Sequence, residues 1–246
     1  MHYIDSHAHL TGENYRDVEI SLMMKKAQEA GVVEVINICT NKISLERAFS
    51  LPLPYNVAAI TPHDAHLEGE NFFCFIEKHV DQLVAIGETG LDLVNSKAPL
   101  ESQIIWFKRH IKLVLKYKKP LVVHCRGAFK ELFLTLDEES YTGPLLVHCF
   151  TGTGEEALEI IKRGFFISFS GILTFKKSEE LREIARAFPL ERILIETDAP
   201  WLAPQSKRGQ INEPANIVEI VETLRDIKGV PVASQIYTNT RNFFDL

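Results

Sequence analysis

The chain has 246 residues, 46% of them hydrophobic and 24% charged, the make-up of an ordinary globular protein long enough to bury a large core. A net charge of −6 excludes a broad basic surface of the kind that coats duplex nucleic acid, although bound metal ions could still hold a phosphate. There is no apolar run of membrane-spanning length, no basic-then-apolar leader and no CxxC spacing among the four cysteines. The expectation is therefore a cytoplasmic protein with no membrane contact and no disulfide framework.

Strand-like and helix-like segments alternate along the chain. Tyr3 to Ser6 reads as a first strand, and Glu19 to Ala30 as an amphipathic helix closed by Gly31. Val33 to Ile38 and Val57 to Ile60 are the next strands, with helices around Ser44 to Phe49 and Asn71 to His79. Leu83 to Gly87 leads to the long helix Leu100 to Lys118, and Pro120 to Val123 to a helix over Ala128 to Asp137. Leu145 to Val147 precedes the helix Glu155 to Arg163, and Phe165 to Phe169 the helix Ser178 to Ala187. Ile193 to Glu196 is the eighth strand, Glu213 to Lys228 a closing helix, and Pro231 to Leu246 a helical segment packed on the outside. Eight βα units in strict order predict an α/β fold, a (β/α)8 TIM barrel forming a single domain over 1–246. An open doubly wound sheet would need a Gly-rich phosphate turn after the first strand, and His7-Ala8-His9-Leu10 is not one.

Six acid and imidazole side chains sit where five of these apolar runs end: His7 and His9, Glu88, His124, His148 and Asp198. A parallel barrel brings the ends of its strands to one face, so ligands far apart in sequence converge there. His7 and His9 share a strand face by the period of two. A carboxylate just beyond a buried strand is costly unless paired or bound to metal. Four imidazoles and two carboxylates suit two divalent metal ions, with Glu88 bridging them; Zn and Mn fit this donor set readily, Mg less naturally. Asp198 is the candidate to accept a proton from the attacking water while also touching a metal. Two readings of Glu196 stay open, a partner behind the ligands or a core carboxylate paired elsewhere. Cys125 and Cys149 each follow a candidate ligand histidine, but thiolates favour closed structural sites, and both read as small packing residues.

Asp5-Ser6-His7-Ala8-His9-Leu10, Gly87-Glu88-Thr89-Gly90-Leu91-Asp92, His148-Cys149-Phe150-Thr151-Gly152, Glu196-Thr197-Asp198-Ala199-Pro200 and Arg208-Gly209-Gln210-Ile211-Asn212-Glu213-Pro214 occur in that order. Together they resemble the signature blocks of the TatD family of metal-dependent deoxyribonucleases, from Ile4 to the end of the chain. The resemblance implies an amidohydrolase-type barrel with His7, His9, Glu88, His124, His148 and Asp198 as metal ligands, and Glu88 and Asp198 as the catalytic carboxylates. It also implies phosphodiester hydrolysis on DNA, at single-stranded or 3′ ends and in the 3′–5′ direction. No obligate protein partner is implied. Arg126 and His63 match substrate-side positions, Arg208, Asn212 and Glu213 fall in the late motif, and Trp201 is the preferred aromatic for stacking on a base, ahead of Phe150, Phe169 and Phe175. Three positions depart from the family pattern: Thr61 where a histidine is usual, Gly127 where an aspartate is usual and Leu93 where a tyrosine is usual. All are on the substrate side, which keeps open an alternative, a metal-dependent ester or amide hydrolase such as an aminoacyl-tRNA deacylase.

Overall fold

The structure, a computed structural model, describes residues 1–66 and 69–246. Among these, the first half contains β1 (Tyr3–Ala8), α1 (Asp17–Glu29), β2 (Val32–Cys39), α2 (Lys42–Ser50), β3 (Asn56–Ala58), α3 (Glu70–Lys78), β4 (Leu83–Asp92) and α4 (Leu100–Tyr117). The second contains β5 (Leu121–Arg126), α5 (Phe129–Glu138), β6 (Leu145–Val147), α6 (Gly154–Lys162), β7 (Phe166–Phe169), α7 (Glu179–Ala187), β8 (Ile193–Ile195), α8 (Ile217–Lys228) and α9 (Ala233–Phe244). The strands pair in sequence order, all parallel, from β1 to β8. The barrel is closed across its last gap by single bonds rather than a ladder: Asp198 N–H donates to His7 O (2.9 Å), His9 N–H to Ala199 O (2.7 Å), and Ser6 Oγ to Ile195 O (2.8 Å). This is the (β/α)8 barrel expected from the alternation of elements.

Strands covered on both faces carry near-continuous aliphatic runs. Their outward residues, such as Val35, Val123 and Ile195, join the helix faces in one large core. Their inward residues at the N-terminal end, among them Ile4, Ile36, Val57, Val122, Leu146 and Leu194, form a second core. Local signals fix the helix ends: Thr153 and Glu156 form a reciprocal capping box on α6, and Gly229 ends α8 in the left-handed conformation at φ 68°.

Three expectations are corrected. The C-terminal helix α9 does not simply pack on the outside; its Phe243 and Phe244 insert into the inner core and plug the N-terminal opening of the barrel. The fourth strand does not stop at Gly87 but runs to Asp92 through an irregularity between Ile86 and Thr89. Gly87, which reads as a strand end, instead lies in that irregularity and presses on β5, for a Cβ on it would lie 2.5 Å from Val122 O. The closing helix begins at Ile217, after a short turn over Pro214–Asn216, and Glu213 before it pairs with Lys26.

Candidate metal centre

At the C-terminal mouth the six candidate ligands come together. His7 lies in β1 within a second irregularity, between Asp5 and Ala8, and His9 just beyond the strand. Glu88 sits on the bulge of β4, His124 in β5, and His148 one residue after β6. Asp198 follows β8 and takes a positive φ of 56°, a conformation that aspartate tolerates better than most residues; Cys149, after His148, does the same at 46°.

Their ring nitrogens face one another in pairs. His7 Nε2 lies 3.1 Å from His9 Nε2, and His124 Nδ1 lies 3.2 Å from His148 Nε2. Two nitrogens on one ion at about 2.1 Å, set at tetrahedral or octahedral angles, lie about 3.0–3.4 Å apart, so both pairs fit chelation. Asp198 Oδ1 is 3.5 Å from His9 Nε2 and 3.8 Å from His7 Nε2. Glu88 stands between the pairs: its Oε2 is 3.6 Å from His7 Nε2, 3.8 Å from His124 Nδ1 and 2.5 Å from His148 Nε2, and its Oε1 is 3.8 Å from His9 Nε2. Glu88 Oε2 nonetheless has no oriented hydrogen bond among the described residues, and neither has the buried His7 Nδ1. A buried carboxylate oxygen surrounded by nitrogens but bonded to none is what a metal-ligating oxygen looks like. The donor set therefore fits divalent metal ions.

A second layer of carboxylates holds the rings from behind. His124 Nε2 meets Asp92 Oδ2 at 2.9 Å, and His148 Nδ1 meets Glu196 Oε1 at 3.3 Å. Asp92 is itself fixed by the backbone N–H groups of Val94 and Asn95, and Glu196 by Ser168 Oγ at 2.5 Å. Such partners set the tautomer and aim of a ligand histidine. Glu196 thus stands behind His148 rather than pairing elsewhere in the core. Sequence reasoning misses Asp92 because the expected fourth strand ends at Gly87, five residues short of it. Asp5 performs a related task, accepting from Thr197 N and Oγ1 and from His7 N, which ties β1 to the segment carrying Asp198; burial pushes its carboxyl up to about 8 despite these donors.

The electrostatics follow from burial and mutual contact. Burial and then the His148 imidazole hold His7 well below the usual histidine range, as a neutral ligand requires. Burial alone would lower His148, but Glu88 and Glu196 hold it well above that range. Burial alone would raise Glu88, yet His148, His124 and His7 hold it well below the carboxylate range. His124 is raised in spite of burial by its bond to Asp92 and by the nearby Glu88 carboxylate.

His9, Glu88, His124, His148 and Asp198 line a pocket of about 390 Å³ whose wall also includes His63, Arg126 and Trp201. His63 is half exposed, with Nε2 3.7 Å from Asp92 Oδ2; Arg126 is exposed and donates to Thr151 Oγ1; Trp201 sets its ring against the edge of His9 at 4.8 Å. Arg208 is not brought to this wall and lies over the Phe175 ring at 4.3 Å. Asn212 is buried and bonds Thr197 O and Trp201 O, so it braces the Asp198 segment. Phe150 and Phe169 are buried in the core and offer no stacking face. Of the departures, Thr61 caps the short turn Pro62–Asp64 through Asp64 N, Leu93 is exposed, and Gly127 takes a positive φ of 64°. Cys125 and Cys149 both border the pocket, and burial raises both thiols.

Residues 4–245 match the family model described as TatD related DNase. The chain belongs to the TatD family of metal-dependent hydrolases. An uncharacterized metal-dependent hydrolase of Buchnera aphidicola is 34% identical over 261 residues, covering 99% of this chain and 98% of that protein. A protein of Erwinia tasmaniensis named 3′-5′ ssDNA/RNA exonuclease TatD is 32% identical over 242 residues, covering 91% and 93%. The crystal structure of the TatD homologue YjjV of Escherichia coli superposes with a TM-score of 0.92 at 24% identity over 99% of this chain and 98% of that one, a likeness of fold. The fold and the family both agree with the resemblance read from the TatD signature blocks.

Proposed function

We propose that this TatD protein is a phosphodiester hydrolase acting on DNA, a 3′–5′ exodeoxyribonuclease working on single-stranded or 3′ ends. The observation that carries the reading is Glu88 standing between two facing imidazole pairs. That arrangement suits two divalent cations, manganese, zinc or magnesium, with His7, His9 and Asp198 on one side, His124 and His148 on the other, and Glu88 shared. Bound there, such ions would supply Lewis acidity to a water nucleophile and to the oxygens of an in-line displacement at phosphorus. Asp198, at the pocket edge, takes the proton of the attacking water. Asp92 and Glu196 hold His124 and His148 at a fixed tautomer, and Asp5 holds the Asp198 segment against β1. Arg126 grips a phosphate oxygen with its exposed guanidinium, a group suited to bidentate contact. Trp201 offers a half-exposed ring to a terminal base, a contact worth roughly 1–3 kcal/mol. The Erwinia relative named as an exonuclease on single-stranded DNA and RNA supports the polarity and the substrate.

The test is metal-stripped protein with end-labelled single-stranded DNA, with magnesium, manganese or zinc added back and Asp198→Ala as control. Stepwise shortening from the 3′ end, dependent on metal and on Asp198, is the expected result. No cleavage with any metal, with ions bound, would transfer the centre to a carboxylic ester or amide substrate.

A further inference from the structure

The pocket wall continues outward along two loops that the nuclease reading leaves unused. Ile172, between β7 and α7, and Trp201 and Leu202, after β8, line the pocket. A few residues further on, the same loops carry Phe175, Lys176 and Lys177 on one side and Lys207 and Arg208 on the other. The two loops are built as one body. A Cβ on Gly171 would lie 2.0 Å from Leu202 O, so the backbones touch. Gln205 N donates to Thr174 Oγ1 at 2.7 Å, and Lys176 N to Gln205 Oε1 at 3.4 Å. Arg182 of α7 clamps the first loop from below through Leu173 O (3.3 Å), Phe175 O (2.7 Å) and Lys176 O (3.3 Å). Across the top, the Arg208 guanidinium lies over the Phe175 ring at 4.3 Å.

The charge on this ledge is uncommitted. Along α4, Lys108, Arg109, Lys112 and Lys116 each pair with a carboxylate. Lys176, Lys177, Lys207 and Arg208 are all exposed and pair with none among the described residues. The next acidic residues in sequence, Glu179 and Glu180, lie in the first turn of α7, where they complement that helix's own positive end. In a chain of net charge −6, four exposed cations on a braced ledge beside the pocket form a local positive patch, a charge that attracts anions. A stacked Arg–Phe pair adds a flat cationic face that suits both phosphates and bases.

We propose that this ledge, formed by Lys176, Lys177, Lys207 and the Arg208–Phe175 pair, is a second binding subsite for the phosphodiester backbone of a single-stranded nucleic acid. It carries the part of the strand leading away from the end held in the pocket. The inference deepens the nuclease reading and rests on it for the position of the strand end. It gives the enzyme a preference for oligomers over dinucleotides, through contacts at phosphates that are not being cleaved.

The test compares the wild type with Lys176→Gln/Lys177→Gln/Lys207→Gln, which leaves Trp201, Arg208 and the metal-binding groups in place. The substrates are an oligo-dT of about fifteen nucleotides and a thymidine dinucleotide, both with manganese. The triple variant raises KM for the oligomer about tenfold at low salt and reduces the dependence of log KM on log salt by about 2, for three phosphate contacts at roughly 0.7 each. Oligomer kcat and dinucleotide hydrolysis stay within about twofold. An unchanged oligomer KM and salt slope overturn the inference. An equal rise in KM for the dinucleotide also overturns it, since that locates the effect in the pocket. A wild type that cleaves neither substrate refutes the nuclease reading instead. The ledge is then decided by anisotropy of a labelled oligo-dT: binding lost in the triple variant upholds it, and equal binding or none overturns it.

Discussion

The two ends of the barrel interior are built from the same strands to opposite purposes. On three strands the contrast is a step of two residues along one inward face: Val122 then His124, Leu146 then His148, Leu194 then Glu196. The first member of each pair packs with Phe243 and Phe244 in a sealed apolar plug, and the second joins a cluster of buried ionisable groups. The plug gains from burial and from close packing. The opposite end bears the cost of burying carboxylates and imidazoles, which are stable there only through mutual pairing or metal. Stability and chemistry are therefore separated along the barrel axis on strands that they share, and substitutions at the two ends should separate in the same way.

The largest effect belongs to the mouth. Asp198→Ala or Glu88→Ala should reduce hydrolysis by at least about 10²-fold, the low end of what an acid–base group contributes, with thermal unfolding nearly unchanged at matched metal content. Either variant retaining more than a few per cent of activity would remove that residue from the reaction. At the other end, Phe244→Ala should cost about 3–5 kcal/mol of unfolding free energy in denaturant titrations, with kcat of the folded fraction unaltered. A comparable loss of kcat would show that the two ends are coupled.

The comparison also explains what the sequence revealed. The βα alternation, the family blocks and the convergence of six polar side chains were legible because each rests on a local signal, an aliphatic run followed by a polar residue. The reach of β4 to Asp92 was not, because Gly87 carries the local signature of a strand end, and only contact with β5 shows it to lie in a bulge through which the strand continues. The plug was hidden for the same reason: Phe243 and Phe244 form an ordinary apolar pair whose docking in the barrel mouth depends on tertiary structure. The place of Arg208 was not legible either: it follows the right motif, yet it stands outside the pocket with its guanidinium over the Phe175 ring, a contact between two loops distant in sequence.

Smaller effects sharpen the picture of the mouth. Asp92→Asn and Glu196→Gln keep shape but remove the charge behind His124 and His148, and should cost about 10–100-fold in metal affinity or activity, read by metal titration. An unaltered affinity would make both carboxylates simple core pairs. The smallest effect lies beneath β4. His110 is buried and accepts from Ile60 N, with Trp106 O and Thr89 Oγ1 at its other ring nitrogen; burial lowers it from 6.5 to about 4. The unfolded chain protonates this histidine below about pH 6.5 while the fold keeps it neutral, so its contribution is complete above that pH and is lost as pH falls towards 4. His110→Gln should therefore flatten the decline of stability over this window, measured by denaturant midpoints at fixed metal, and an unchanged slope would show that His110 does not cause it.

The most direct test of the account counts metal ions. Protein reconstituted with manganese or zinc, desalted and analysed for metal should hold two ions per chain, and Glu88→Ala, which removes the group shared between the imidazole pairs, should lose at least one. A wild type that retains no metal, or a Glu88→Ala variant that retains the full complement, would contradict the reading of the barrel mouth as a shared metal centre.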